Sequence, residues 1–216
     1  MPWGMRKRKL VSTEVLAPRK SMVLVDLLPS LRMRTWARDA VLVVSFALLT
    51  AAFAQIKISL GFTPVPLTGQ TLAVLLSGAA LGMRRGAFSQ IAYWGMGLVG
   101  LPFYAGGQSG WEAGTGTTLG YFVGFIVAAA VVGRLAERKH DRQVMSSLSA
   151  MAFGTVIIYT FGALWLAHDL NIGVATGDPN AIALGVTPFL IGDLIKMIIA
   201  GVVTPVVWAT VARGER

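Results

Sequence analysis

Residues 181–212 read AIALGVTPFLIGDLIKMIIAGVVTPVVWATVA, an apolar run long enough to cross a bilayer, yet it carries Asp193 and Lys196 near its middle. A charge at bilayer depth costs roughly 2.5–3.5 kcal/mol on an insertion scale, so a membrane helix that keeps an acid and a base needs them for each other or for a ligand. Their i, i+3 spacing puts both on one helical face. One reading is an internal ion pair that tightens helix packing; the other, favoured for ionisable groups inside a membrane, is a binding site. Pro188 and Pro205 flank the pair, and either can kink the helix and free backbone carbonyls.

The rest of the chain supports a membrane setting. Apolar residues make up 55% of the sequence against 13% charged, which excludes a soluble globular domain and points to an all-α, polytopic membrane protein. Further spans are expected at about 40–56, 66–81, 87–104, 118–135 and 146–167, giving six with the run above. In the first, Ala47 and Ala51 form a small-residue pair that invites close helix contact. A tight basic turn, Gly82-Met83-Arg84-Arg85-Gly86, separates the second span from the third. The expected domain is 38–212, preceded by a basic extension over 1–37 and followed by a short tail, 213–216.

Charge placement orients the spans. Nine basic residues lie in the segment through Arg38, two in the 82–86 turn, four in 134–145 and two in the C-terminal tail. Basic loops stay cytoplasmic, so six spans with both termini inside leave Lys57 as the one basic residue on the outer side and Lys196 within the membrane. The net charge of +9 is then a consequence of topology, and nucleic acid is not an expected partner. The lipid bilayer is one, with the basic extension solvated or lying on an anionic leaflet. No stretch of that extension has the form of a signal peptide.

Several kinds of chemistry have no residues to carry them. Cysteine is absent, and the two histidines, His140 and His168, belong to no cluster with metal-ligand spacing, so neither a metal nor a cofactor is expected. No G-x-x-x-x-G-K-[ST] motif is present, so the chain does not hydrolyse ATP through a P-loop. Gly107-Gln108-Ser109-Gly110 matches the serine segment of rhomboid-type intramembrane proteases, but such a serine needs a histidine base at depth, and His168 falls at a helix end. Catalytic residues are therefore not assigned, and a serine hydrolase is a remote alternative. The outer loops look more suited to binding. Residues 57–66 are punctuated by proline and glycine, while 101–117 combine many glycines with Tyr104, Gln108, Trp111 and Glu112, offering close backbone approach, stacking faces and an amide.

Taken in order, Pro64-Val65-Pro66-Leu67-Thr68-Gly69-Gln70, Gly82-Met83-Arg84-Arg85-Gly86, Gly100-Leu101-Pro102, Ala105-Gly106-Gly107-Gln108, Gly120-Tyr121 and Gly192-Asp193-Leu194-Ile195-Lys196 resemble the BioY family, the biotin-specific S components of energy-coupling factor transporters. The resemblance covers 40–212. It implies a six-helix S component in a bacterial cell membrane that captures biotin from outside and is energised by a transmembrane T component with two ATPases. In the roles it suggests, Asp193 accepts from the ureido N–H, Gln108 pairs with the ureido edge, Tyr121 and Trp111 pack on the rings, and Lys196 donates to the ligand or holds Asp193 ionised. Thr68 and Gln70 join the substrate site, and Ala47 and Ala51 resemble the surface that docks on the T component.

Three departures from the family pattern stand out. Gly116-Thr117-Thr118-Leu119-Gly120-Tyr121 replaces the usual G-[PA]-T-G-G-Y, Gln108 stands where a smaller polar residue is usual, and the long basic N-terminus is outside the pattern. The alternative from another class is a proton-coupled carrier of a small vitamin-like solute that uses Asp193 as relay.

Overall fold

The computed structural model describes residues 23–27 and 34–214. In chain order the helices are α1 (Thr35–Ala54), α2 (Gln70–Leu81), α3 (Met83–Leu98), α4 (Gly110–Thr115), α5 (Leu119–Glu137), α6 (Val144–Asp169), α7 (Ala181–Gly185) and α8 (Leu190–Gly214). Long, apolar α1, α5 and α6 and the run Ala181–Thr210 each have the length and composition to cross a membrane.

Where the expected spans were shortened or broken, the cause is local. The second is helical only from Gln70, because Pro64 and Pro66 hold the preceding backbone extended. Leu67–Thr68 (β2) there pairs antiparallel with Lys57–Ile58 (β1), in the register Lys57 to Thr68 and Ile58 to Leu67. An all-α reading misses this ladder. The five-residue basic turn shrinks to Gly82, since Met83 already begins α3; φ of 82° at that position is a conformation glycine adopts without strain. Gly78 and Gly86, four residues to either side of Gly82, then face each other. A Cβ on Gly86 would lie 3.1 Å from the Gly78 Cα, and Ala129 of α5 packs its backbone into the same groove.

The run at 181–212 is not one helix. It breaks into α7, a 3-10 turn at Thr187–Phe189 that contains Pro188, and α8, so Asp193 lies in the first turn of α8 rather than near the middle of one span. Pro205 remains inside α8.

Part of the basic extension is built into the fold. Leu24–Leu27 forms a 3-10 turn, Val23 and Val25 are buried beside Leu81, and Asp26 bonds Arg85 at 3.0 Å. These residues of 1–37 are therefore not a solvated tail, and the helical unit does not begin at 38. The basic residues from Arg6 to Arg32 lie outside the described residues.

Helix α1 packs on α3 and α2, and Ala47, Thr50, Ala51 and Ala54 are its buried positions. This bears on the docking role expected for Ala47 and Ala51. With 0% and 5% of their surface exposed they seal α1 to its own neighbours, while Val41, Val44, Ser45, Leu48 and Ala52 face outward. The same contact holds a polar knot. Gln90 Nε2 of α3 donates to Ser77 Oγ of α2 at 2.9 Å and to Thr50 Oγ1 of α1 at 3.3 Å, joining three helices where hydrocarbon offers no other partner. Above it the core becomes aromatic, with Tyr104 and Phe122 rings 4.9 Å apart and Tyr93 and Phe125 beside them.

Candidate ligand-binding site

A cavity of about 180 Å³ opens where the 57–71 segment, the 104–108 loop and helices α5, α6 and α8 converge. Its polar groups come from the β-ladder, the start of α2, the 104–108 loop, α6 and α8, and its apolar wall from Tyr121, Phe122, Phe125, Ile158 and Phe189. The segments over it are tied down by side chains bonding to backbone carbonyls. Thr63 Oγ1 donates to Leu184 O at 2.7 Å, and Tyr121 Oη to Gly185 O at 2.6 Å, fastening both the 57–68 segment and α5 to α7. Tyr104 Oη reaches Trp94 O at 2.7 Å, and Trp94 Nε1 reaches Gly114 O at 2.9 Å, fixing the loop before α4.

Asp193 is the centre of the site. Only 5% exposed, it accepts at Oδ1 from Lys196 Nζ at 2.6 Å and Thr71 Oγ1 at 2.9 Å, and at Oδ2 from Tyr159 Oη at 2.6 Å. A carboxylate has about four lone-pair sites, so one on Oδ2 is left for a further donor. The first turn of α8 favours a negative group, because the unpaired N–H ends of a helix N-terminus carry partial positive charge. Lys196 also donates to the Thr68 carbonyl, which leaves its third hydrogen uncommitted. The ammonium thus fastens α8 to the β-ladder and neutralises Asp193 at the same time.

Of the residues singled out from sequence, Asp193, Lys196, Gln108, Tyr121, Thr68 and Gln70 all line this cavity. Trp111 does not. It stands on α4 with 72% of its surface exposed, because α4 turns that face away from the core and buries Gly114 instead. Gln70 holds rather than presents: Thr68 Oγ1 donates to its Oε1 at 2.7 Å, and its Nε2 donates to Tyr93 Oη at 2.6 Å. Gln108 is exposed at the cavity edge. Ser109 lies outside the lining, and His168 packs its ring on Trp165 at 5.5 Å, so the rhomboid-like string meets no base there.

Among the lining residues outside that set, Tyr159 and Thr71 bond Asp193 and Lys57 adds a second cation. Thr71 directly follows the quoted proline-rich segment, and Lys57 was noted as the outer basic residue, but Tyr159 gave no signal among the apolar residues of α6. Among the described residues no other Asp or Glu, and no His, lines the cavity. Among the described residues no His, Asp and Glu group has metal-binding spacing.

The BioY family's sequence profile matches residues 21–213, beginning just before the docked Val23. A biotin transporter BioY from Rhizobium etli is 37% identical over 171 residues, covering 76% of this chain and 89% of its own length. One from Thermotoga maritima is 36% identical over 161 residues, covering 73% and 88%. In fold, the chain is similar to the 2.1 Å crystal structure of the S component for biotin from an ECF-type ABC transporter, with a TM-score of 0.69 at 23% identity over 80% of this chain and 93% of that one. On the length and continuity of these matches, the chain belongs to the BioY family.

Proposed function

We propose that this chain captures biotin from outside the cell as the S component of an energy-coupling factor transporter. The observation that carries the reading is the lone pair left on the buried Asp193 beside the aromatic wall of the cavity. A ureido N–H fits that lone pair as a charge-assisted bond, the Gln108 amide suits the ureido carbonyl, and Tyr121, Phe122 and Phe125 suit the fused rings. The relatives are named biotin transporters, which agrees with this chemistry. A proton relay through Asp193 has less support, since the cavity supplies no second carboxylate or imidazole to hand a proton to. Titration calorimetry on detergent-purified protein is the direct test: saturable biotin binding is expected, and a folded protein that binds none overturns the reading.

Two further parts of the proposal concern the setting. Six membrane helices with both termini inside agree with the seventeen of nineteen basic residues that this topology places on one face. A tag at either end is then protected from protease in right-side-out vesicles, and digestion of either tag reverses the orientation. The chain carries no P-loop of its own, so in this reading ATP is hydrolysed by separate ATPases that act through a transmembrane T component. Their recovery on affinity purification of the tagged chain from its native membrane is the expected result.

A further inference from the structure

We infer that Lys57 is the counter-ion for the ligand's carboxylate and makes the site select an acid over its neutral ester or amide. This rests on the biotin reading above. The charge balance of the cavity is the starting point. Its lining holds two cations, Lys57 and Lys196, and one anion, Asp193. Lys196 and Asp193 cancel each other across 2.6 Å, which leaves a single positive charge, that of Lys57. Lys57 has no salt bridge or side-chain hydrogen bond among the described residues. A site of net charge +1 is complementary to a monoanion.

Position agrees with charge. Lys57 is the register partner of Thr68, whose carbonyl receives Lys196 from α8, so both cations meet the same two-residue ladder, one as a member and one as a donor to it. Lys196 is largely buried at the Asp193 end, whereas Lys57 is exposed and runs over the 105–108 loop. A Cβ on Gly106 would fall 2.8 Å from Lys57 Cδ and 3.2 Å from Nζ, so the bare glycine is what lets the lysine lie flat along the rim. A ligand whose ureido head is at Asp193 and whose pentanoate arm points outward brings its carboxylate to this rim. The arm is saturated and makes no directional bond, so the ammonium is the group that can recognise its end.

The test compares biotin with biotinamide and biotin methyl ester, by calorimetry, on the wild type, Lys57→Met and Lys57→Arg. Wild type is expected to prefer the acid by about five- to twentyfold, the range between an exposed ion pair and a charged hydrogen bond, with the preference shrinking as salt is raised. Lys57→Met is expected to bind all three alike and the two neutral ligands as well as wild type does; Lys57→Arg keeps the preference. Lys57→Met retaining the wild-type preference overturns the assignment, as does a wild type that binds acid and amide equally. A folded wild type that binds none of the three removes both this inference and the biotin reading, which separates the two failures.

Discussion

Tyr159 on α6 donates its hydroxyl to Asp193 Oδ2 on α8 across 2.6 Å, so the anion of the cavity is oriented by a residue 34 positions away from it in sequence. Helix α6 lies outside the motif in sequence but packs on it in the fold, and the bond fixes which lone pair stays open. Tyr159→Phe removes the donor while keeping the ring, and the freed carboxylate can rotate away from the ligand. Biotin affinity is expected to fall about two- to tenfold, as for loss of one hydrogen bond that acts indirectly, with helical content unchanged. Wild-type affinity in this variant would mean that Lys196 and Thr71 orient Asp193 without help.

Tyr121 is held from behind by Gly162 of α6. A Cβ at position 162 would lie 2.3 Å from the Tyr121 ring, so Gly162→Ala must push the ring toward the cavity and break its 2.6 Å bond to Gly185. The expected cost is about 1–3 kcal/mol of stability, as for other overpacked cores, together with at least a tenfold loss of biotin affinity. Tyr121→Phe keeps the ring in place and is expected to be milder on both counts. Thermal unfolding and calorimetry on the two variants check the order.

What could be read in the sequence depended on contrast. Asp193 and Lys196 stood out because charge is rare in an apolar run, and Gln108 because an amide among glycines has few structural uses. Tyr159 has no such contrast: one more aromatic in α6 looks like lipid-facing or core packing until α8 is folded against it. Spacing likewise showed that Ala47 and Ala51 share a face, but not that α3 covers it. The break before α8 was foreshadowed by Pro188 as a kink, yet whether a proline bends a helix or ends it depends on the α7 contacts that Tyr121 and Thr63 make. A two-residue ladder is too short to leave any periodicity at all.

Ala47 gives a direct test of what that face does. It is fully buried at the contact of α1 with α3 and α2, so Ala47→Leu inserts three carbons where no space exists. The expected result is a loss of about 1–3 kcal/mol of stability, seen as a lower Tm in detergent, with biotin binding weakened as α1 shifts the β1 end of the ladder. Leu48→Ala, on the outward face, is expected to leave both unchanged. An Ala47→Leu protein with wild-type Tm and binding, deficient only in uptake, would support the docking role.

At the other end of α8, Trp208 Nε1 donates to Asp141 Oδ2, and the Arg142 guanidinium lies 4.0 Å over the Trp208 ring. Burial pushes the Asp141 carboxyl above the ordinary carboxylate range, against the opposing pull of the Trp208 bond and of Arg142 and His140. A group whose proton is held more tightly in the folded state adds stability at low pH and loses it as pH rises through its folded pKa. Asp141→Asn, which keeps an acceptor for Trp208, is therefore expected to raise Tm at neutral pH, with the gain vanishing on acidification toward the usual carboxylate range. A lower Tm at neutral pH would show that Arg142 more than offsets the burial.

The decisive experiment concerns the pair itself. In Asp193→Asn, two strong donors, Lys196 and Tyr159, lose an ionised acceptor, and the open lone pair faces the ligand as a neutral amide oxygen or as an N–H aimed at a donor. Losing that bond is expected to cost roughly 2–4 kcal/mol of binding, a factor of about 30 to 1000 in Kd. Lys196→Met should weaken binding for a different reason, since it cuts α8 from the Thr68 carbonyl and leaves the Asp193 charge without its cation. The double variant separates site from scaffold. If the pair only holds the helices together, both single variants misfold, whereas the double neutral variant folds and binds biotin with wild-type affinity, because no unpaired charge is left buried. If Asp193 recognises the ligand, the double variant folds and still fails to retain biotin, because no neutral partner restores a charged acceptor to the ureido N–H. Calorimetry on the folded fraction of all three, recovered by gel filtration, decides between these outcomes.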